Sequence, residues 1–105
     1  MSALINVPKK AKRGAVIEIK TLISHPMETG FRAGTNGRII PRDIVERFAC
    51  LYNGVEVFAM TLSPAMAANP FVAFHAVATE SGALTFRWTG DNGFAAEETA
   101  SIEVE

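Results

Sequence analysis

Apolar and polar residues alternate along most of this chain with a period of two. Val16–Ser24 shows the pattern best: Ile17, Ile19 and Ile23 share one face and Glu18 and Lys20 the other, as in a half-buried strand. Leu4–Val7 predicts a short first strand, stopped by Pro8, and Lys9, Lys10, Lys12 and Arg13 form a basic turn that ends at Gly14. Val45–Tyr52 and Val55–Leu62 flank Asn53-Gly54, whose tolerance of left-handed backbone makes it the strongest short-range hairpin signal. Ser63–Ala68 predicts one helical turn, with Ser63 as cap, Pro64 in the first position and Asn69-Pro70 as its end. Phe71–Thr79, Ala83–Thr89 and Phe94–Val104 complete the strands, with Trp88 alternating with Leu84 and Phe86 on a core face. About seven strands with turns at regular intervals predict an all-β fold, an immunoglobulin-like antiparallel β-sandwich, in a single domain spanning 1–105 without internal repeats.

Ser24 to Asp43 breaks the alternation. Pro26, Gly30, Gly34, Gly37 and Pro41 interrupt any regular element, and irregular segments of this length inside a domain are often functional. The segment opens with His25-Pro26-Met27-Glu28-Thr29-Gly30. Pro26 holds His25 extended, so the imidazole is expected to project from the strand's end, while Gly30 permits a sharp turn. Glu28 and Arg32 are spaced to pair with each other or to orient the ring. Histidine titrates near physiological pH, which suits docking or proton transfer; without a nucleophile in view, recognition is favoured over catalysis. The plainer alternative is a turn whose side chains bond its own backbone.

The strands carry more apolar residues than one buried face needs. With a two-residue loop at Asn53-Gly54, Tyr52 faces Val55, Cys50 faces Val57 and Phe48 faces Ala59 on one side. Leu51 with Glu56, Ala49 with Phe58 and Arg47 with Met60 occupy the other. Phe71–Thr79 repeats the surplus, with Val72, Phe74, Ala76 and Ala78 on one face and Phe71, Ala73 and Val77 on the other. Either loops such as 24–43 cover the second face or a partner protein does, and on the latter reading Phe58 and Met60 lie in a subunit interface.

Charge changes this picture little. A net charge of −1 argues against a nucleic-acid partner, but residues 1–47 carry a net +5 and residues 48–105 a net −6. Interleaved strands would fold that imbalance into neighbouring pairs; otherwise it marks a basic face. The one cysteine, Cys50, lies mid-strand and is expected to be buried and inert, without a disulfide. His25, His75, Cys50 and Met27 are the residue types of a blue-copper site, yet they are not clustered in the C-terminal loop such a site needs, so no metal or other cofactor is implied. His75 is expected to be a semi-buried strand residue. No apolar run approaches the roughly 20 residues of a membrane span, and Met1–Pro8 lacks the charged and apolar regions of a secretory signal.

Taken in order, Val7-Pro8 with the basic turn ending at Gly14, Ile17–Gly30, Asn69-Pro70-Phe71-Val72-Ala73-Phe74, Ala78-Thr79-Glu80-Ser81-Gly82 and the closing Ser101-Ile102-Glu103-Val104 resemble the SoxZ family over nearly the whole chain. The resemblance implies an immunoglobulin-type sandwich that is not an enzyme and pairs with the SoxY subunit in the SoxYZ complex of bacterial thiosulfate oxidation. SoxY carries sulfur intermediates on a cysteine in a Gly-Gly-Cys tail; this chain closes in Glu103-Val104-Glu105, so it resembles the scaffold and not the carrier. The resemblance also implies transient contacts with other Sox enzymes and a periplasmic location, reached by co-export with a signal-bearing partner. On physical grounds His25, Met27, Glu28, Arg32, Phe58 and Met60 are the candidate docking residues. A free-standing interaction domain and an enzyme built on His25 and Glu28 are the rival expectations.

Overall fold

Among the described residues, the period-two segments and one short addition form eight strands: β1 Ala3–Asn6, β2 Lys10–Ala11, β3 Val16–Ile23, β4 Val45–Tyr52, β5 Val55–Thr61, β6 Phe71–Val77, β7 Gly82–Gly90 and β8 Ala95–Val104. The structure, a computed structural model, describes residues 3–105; Met1 and Ser2, the start of the stretch read for a secretory signal, lie outside the described residues. A three-stranded sheet in the order β1-β3-β6 packs on a five-stranded sheet in the order β2-β8-β7-β4-β5. The result is the immunoglobulin-like β-sandwich that the alternation predicted. The extra strand is β2, which lies in the basic turn and runs parallel to β8, Lys10 opposite Glu103 and Ala11 opposite Val104. A two-residue strand inside a run of lysines carries no alternation by which to recognise it.

On β3, β4, β6 and β7 the inward faces are the predicted ones. Ile17, Ile19 and Ile23 of β3 and Val72 and Phe74 of β6 meet Phe48, Cys50 and Tyr52 of β4 and Leu84, Phe86 and Trp88 of β7. Phe48 sits at the centre, within ring-contact distance of Phe58, Phe74, Phe86 and Trp88, the last at 5.3 Å. At the hairpin, Asn53 (φ +48°) and Gly54 (φ +84°) adopt the paired left-handed conformation that their sequence favours. The predicted helical turn after β5 is only a turn: Met66 N–H donates to the Ser63 carbonyl at 3.0 Å and Ala65 N–H to Ser63 Oγ at 3.3 Å. Asn69-Pro70 leaves no length in which a helix could propagate.

The β4–β5 register departs from the simple hairpin. Tyr52–Val55 and Leu51–Glu56 pair as expected, but Cys50 then faces Phe58, Ala49 faces Ala59, Phe48 faces Met60 and Arg47 faces Thr61. Val57 is an extra residue, a β-bulge, and beyond it every β5 side chain changes face. Phe58 and Met60, expected on the outer face, therefore turn inward and pack half-buried against the core. Phe58 stacks on Phe74 of the other sheet, with ring centroids 4.3 Å apart and planes 8° from parallel.

Charge pairs knit the two halves of the chain together. Lys10 reaches Glu103 and Glu105, Arg42 binds Asp91, and Arg47 binds Glu56, so basic residues of the first half meet acidic residues of the second. With Arg87–Glu97 at 2.7 Å, these pairs help make the outer face of the five-stranded sheet polar.

Candidate functional site

Two regions hold the residues singled out by sequence: the turn after β3 and the β5–β6 side of the sandwich. At the first, His25 does not project. It is 4% exposed, and its ring packs edge-on against Phe94 at 4.7 Å. Its backbone N–H donates to Asn69 Oδ1 at 2.9 Å while Asn69 N–H donates to the His25 carbonyl at 2.7 Å, tying the β5–β6 connection to the end of β3. His25 Nδ1 accepts the Met27 N–H at 3.0 Å, which puts the ring proton on Nε2, facing Asp43 Oδ1 at 3.5 Å. Met27 is buried as well. Its backbone is left-handed (φ +52°), and its sulfur accepts the Val45 N–H at 3.2 Å. A left-handed methionine persists only where its surroundings over-determine it. Here a donor and an acceptor within the core do so.

The surface role expected of His25 and Met27 is thus corrected: both are clasps inside the protein. The extended geometry before Pro26 sets the chain's direction for one residue, and the reversal at Met27 then carries both side chains inward. Glu28 and Arg32 do pair, at 2.6 Å, which lowers the Glu28 carboxyl below its ordinary range and raises the Arg32 guanidinium. They leave the orientation of His25 to Asp43.

Beyond Glu28 the segment is a folded arm. Glu28 and Asp43 exchange backbone hydrogen bonds of 2.7 and 2.8 Å, and Ala33 bridges Ile39. At its base Arg42 forks onto both Asp91 oxygens at 2.8 Å, while Asp91 Oδ2 also accepts the Ile44 N–H. Gly90 lets the chains approach here, since a Cβ on it would stand 2.2 Å from the Ile44 carbonyl oxygen. The Arg42 guanidinium holds the Asp91 carboxyl down at about 2. A depressed carboxyl contributes stability above its unfolded value of 3.8 that is lost as pH falls through the folded one. An Asp91→Asn variant is therefore expected to be less stable than wild type at neutral pH, with the gap closing between pH 3.8 and about 2; acid titration of urea midpoints checks this. Phe31, on this arm, is 84% exposed and was not singled out; its only sequence signal was an aromatic side chain without an alternating partner in a Gly- and Pro-rich stretch.

Cys50 is fully buried, and burial pushes its thiol up to about 11. A thiol reagent at pH 8 is expected to leave the native protein unlabelled and to react on unfolding, as mass spectrometry would read. His75, expected to be semi-buried, is exposed beside Glu18, 3.8 Å away, because β6 turns its odd-numbered residues outward. Among the described residues no three His, Cys, Asp or Glu side chains cluster to hold a metal, and no helix is long and apolar enough to cross a membrane.

The apolar surplus survives on β6. Phe71 (56% exposed) and Val77 (49%) face outward, joined across the sheet by Leu4 and Leu22 at one end and Val16 at the other. Around the edge, Val55 and Val57 of β5 line a groove of about 520 Å³ with Tyr52, His75 and Val77. Neither the 24–43 arm nor any other described segment buries these side chains.

Residues 5–101 match the family model described as sulphur oxidation protein SoxZ. The chain belongs to the SoxZ family. No curated protein matches it in sequence. Among solved structures, a superoxide reductase (neelaredoxin) from Ignicoccus hospitalis is similar with a TM-score of 0.74 at 17% identity, covering 100% of this chain and 81% of its own. The sulfur carrier protein SoxY from Chlorobium limicola f thiosulfatophilum is similar with a TM-score of 0.68 at 15% identity, covering 98% of this chain and 78% of its own. A putative superoxide reductase from Thermotoga maritima gives 0.74 at 16%, covering 98% and 85%. At these identities the likeness is one of fold. A SoxZ-family chain thus shares its sandwich with both reductases and a sulfur carrier.

Proposed function

We propose that this chain is the non-catalytic scaffold subunit of a SoxYZ carrier complex. It binds and stabilises SoxY and helps present SoxY's cysteine-bound sulfur intermediates to the other Sox enzymes. The observation that carries the reading is the SoxZ match over residues 5–101. The surface and the thiol support it. Uncovered apolar residues on β6 are what a subunit shows without its partner, and Cys50, sealed in the core with a raised thiol, is unsuited to carry sulfur itself. In this role the subunit works in the periplasm, exported together with a signal-bearing SoxY, which requires the pair to form early and tightly. Glu28, Arg32 and the exposed arm around Phe31 form a surface for transient contact with the enzymes that visit the complex.

Co-expression with a SoxY homologue tests the proposal. The expected result is one co-eluting species, with the lone chain self-associating. A well-behaved monomer that ignores SoxY would overturn it and leave the free-standing interaction domain, for which the polar outer face of the five-stranded sheet speaks.

A further inference from the structure

The four sheet edges are not treated alike. On one side of the sandwich β1 spans Ala3–Asn6 among the described residues and is stopped by Pro8, and β2 has two residues, among Lys9, Lys10, Lys12 and Arg13. Short strands, proline and lysine are the devices by which natural sheets refuse a further strand. On the other side β6 runs seven residues, Phe71-Val72-Ala73-Phe74-His75-Ala76-Val77, with no proline and no Lys, Arg, Asp or Glu. It pairs with β3 in unbroken register from Leu22–Phe71 to Val16–Val77. Its neighbour across the groove, β5, is interrupted by the bulge at Val57, itself a guard against pairing.

The hydrogen bonds fix which backbone groups of β6 are free. Ala78 N–H donates to the Ala15 carbonyl at 2.9 Å, the Ala78 carbonyl accepts from Gly14, and the Pro70 carbonyl accepts from Ile23. Even-numbered residues thus point toward β3. By strand alternation the N–H and C=O of Phe71, Ala73, His75 and Val77 point to the open edge. An open row of donors and acceptors about 20 Å long is matched by an extended strand and not by a helix.

We infer that the open edge of β6 is completed by an edge strand of SoxY, whose apolar side chains lie in the groove over Val55, Val57 and Val77. This rests on the scaffold reading above. The occupant is a strand of a partner sandwich because the unpaired groups are strand groups, the groove beside them is mostly apolar, with Val55, Val57, Ala76 and Val77 beside Tyr52, His75, Thr79 and Glu80, and the solved SoxY is similar to this chain in fold. The bulge directs pairing to β6, with β5 as the flanking wall.

Backbone amide exchange, measured on the free chain and on the complex co-purified with a SoxY homologue, tests the inference. The amides of Ala73, His75 and Val77 are expected to slow at least about tenfold in the complex, a signature that side-chain docking alone does not produce. Val77→Lys, at an exposed position, is expected to weaken the complex about 30-fold or more while leaving Tm unchanged; Leu4→Lys, two strands away, is expected to change it less than about threefold. A complex that forms with unaltered exchange at these three amides overturns the edge assignment and leaves the SoxY pairing standing. Failure to form any complex overturns both. Concentration-dependent protection of the same amides in the lone chain would make the occupant a second copy and overturn the assignment to SoxY.

Discussion

Replacing Phe48 by alanine is expected to destabilise the domain by about 3–5 kcal/mol, the range for emptying an aromatic site that cannot collapse. Phe48 has no solvent exposure, and its ring touches four others drawn from both sheets: Phe58 and Phe86 from the strands beside it, Trp88 in the cross-strand pair, and Phe74 from the facing sheet. These rings belong to strands held by backbone ladders, so they cannot close over the gap. Domains of this kind have only about 5–15 kcal/mol in total, so the variant should express poorly and unfold at much lower urea. An unchanged denaturant slope with a lowered midpoint is the expected signature. A loss below about 1 kcal/mol would mean that the core repacks. Phe31→Ser, on the exposed arm, is the contrasting case and should stay within about 0.5 kcal/mol of wild type.

His25→Ala is expected to cost about 2–4 kcal/mol, combining a cavity with the orphaned Met27 N–H. The loss should be local first. Without the Nδ1 acceptor the left-handed Met27 has one anchor fewer, and amides from Met27 to Ile44 should exchange faster before the rest of the sandwich does. At a temperature where the variant is still folded, pairing with SoxY should persist. An unchanged stability with pairing abolished would restore the surface docking role that the sequence suggested for this histidine.

How much was legible depended on how local the deciding contact was. The Asn53-Gly54 turn, the inward faces of β3 and β6, the core position of Trp88 and the inert Cys50 follow from period two and residue type, because a strand's alternation is set by its own backbone. The Glu28–Arg32 pair was legible for the same reason, lying four residues apart. For His25 the plainer expectation, a turn whose side chains bond its own backbone, matches the Met27 N–H bond to Nδ1. The docking reading fails because the rest of the ring's environment comes from Asn69, Asp43 and Phe94, between 18 and 69 positions away, none of which marks the His25-Pro26 sequence itself. Phe58 and Met60 were misjudged because one extra residue at Val57 reverses every face after it, and the aromatic ring that rewards the reversal, Phe74, belongs to the other sheet.

The sequence by itself determined that this protein is an all-β sandwich, where most of its strands run, that its cysteine is buried and which family it resembles. Those properties are written in short-range patterns and ordered motifs. Only the tertiary structure decided that His25 and Met27 are internal clasps, that Lys10, Arg42 and Arg47 of the first half meet acidic residues of the second, and that β6 is the long edge left unguarded. Each depends on which distant strands become neighbours, and that is settled by packing between sheets.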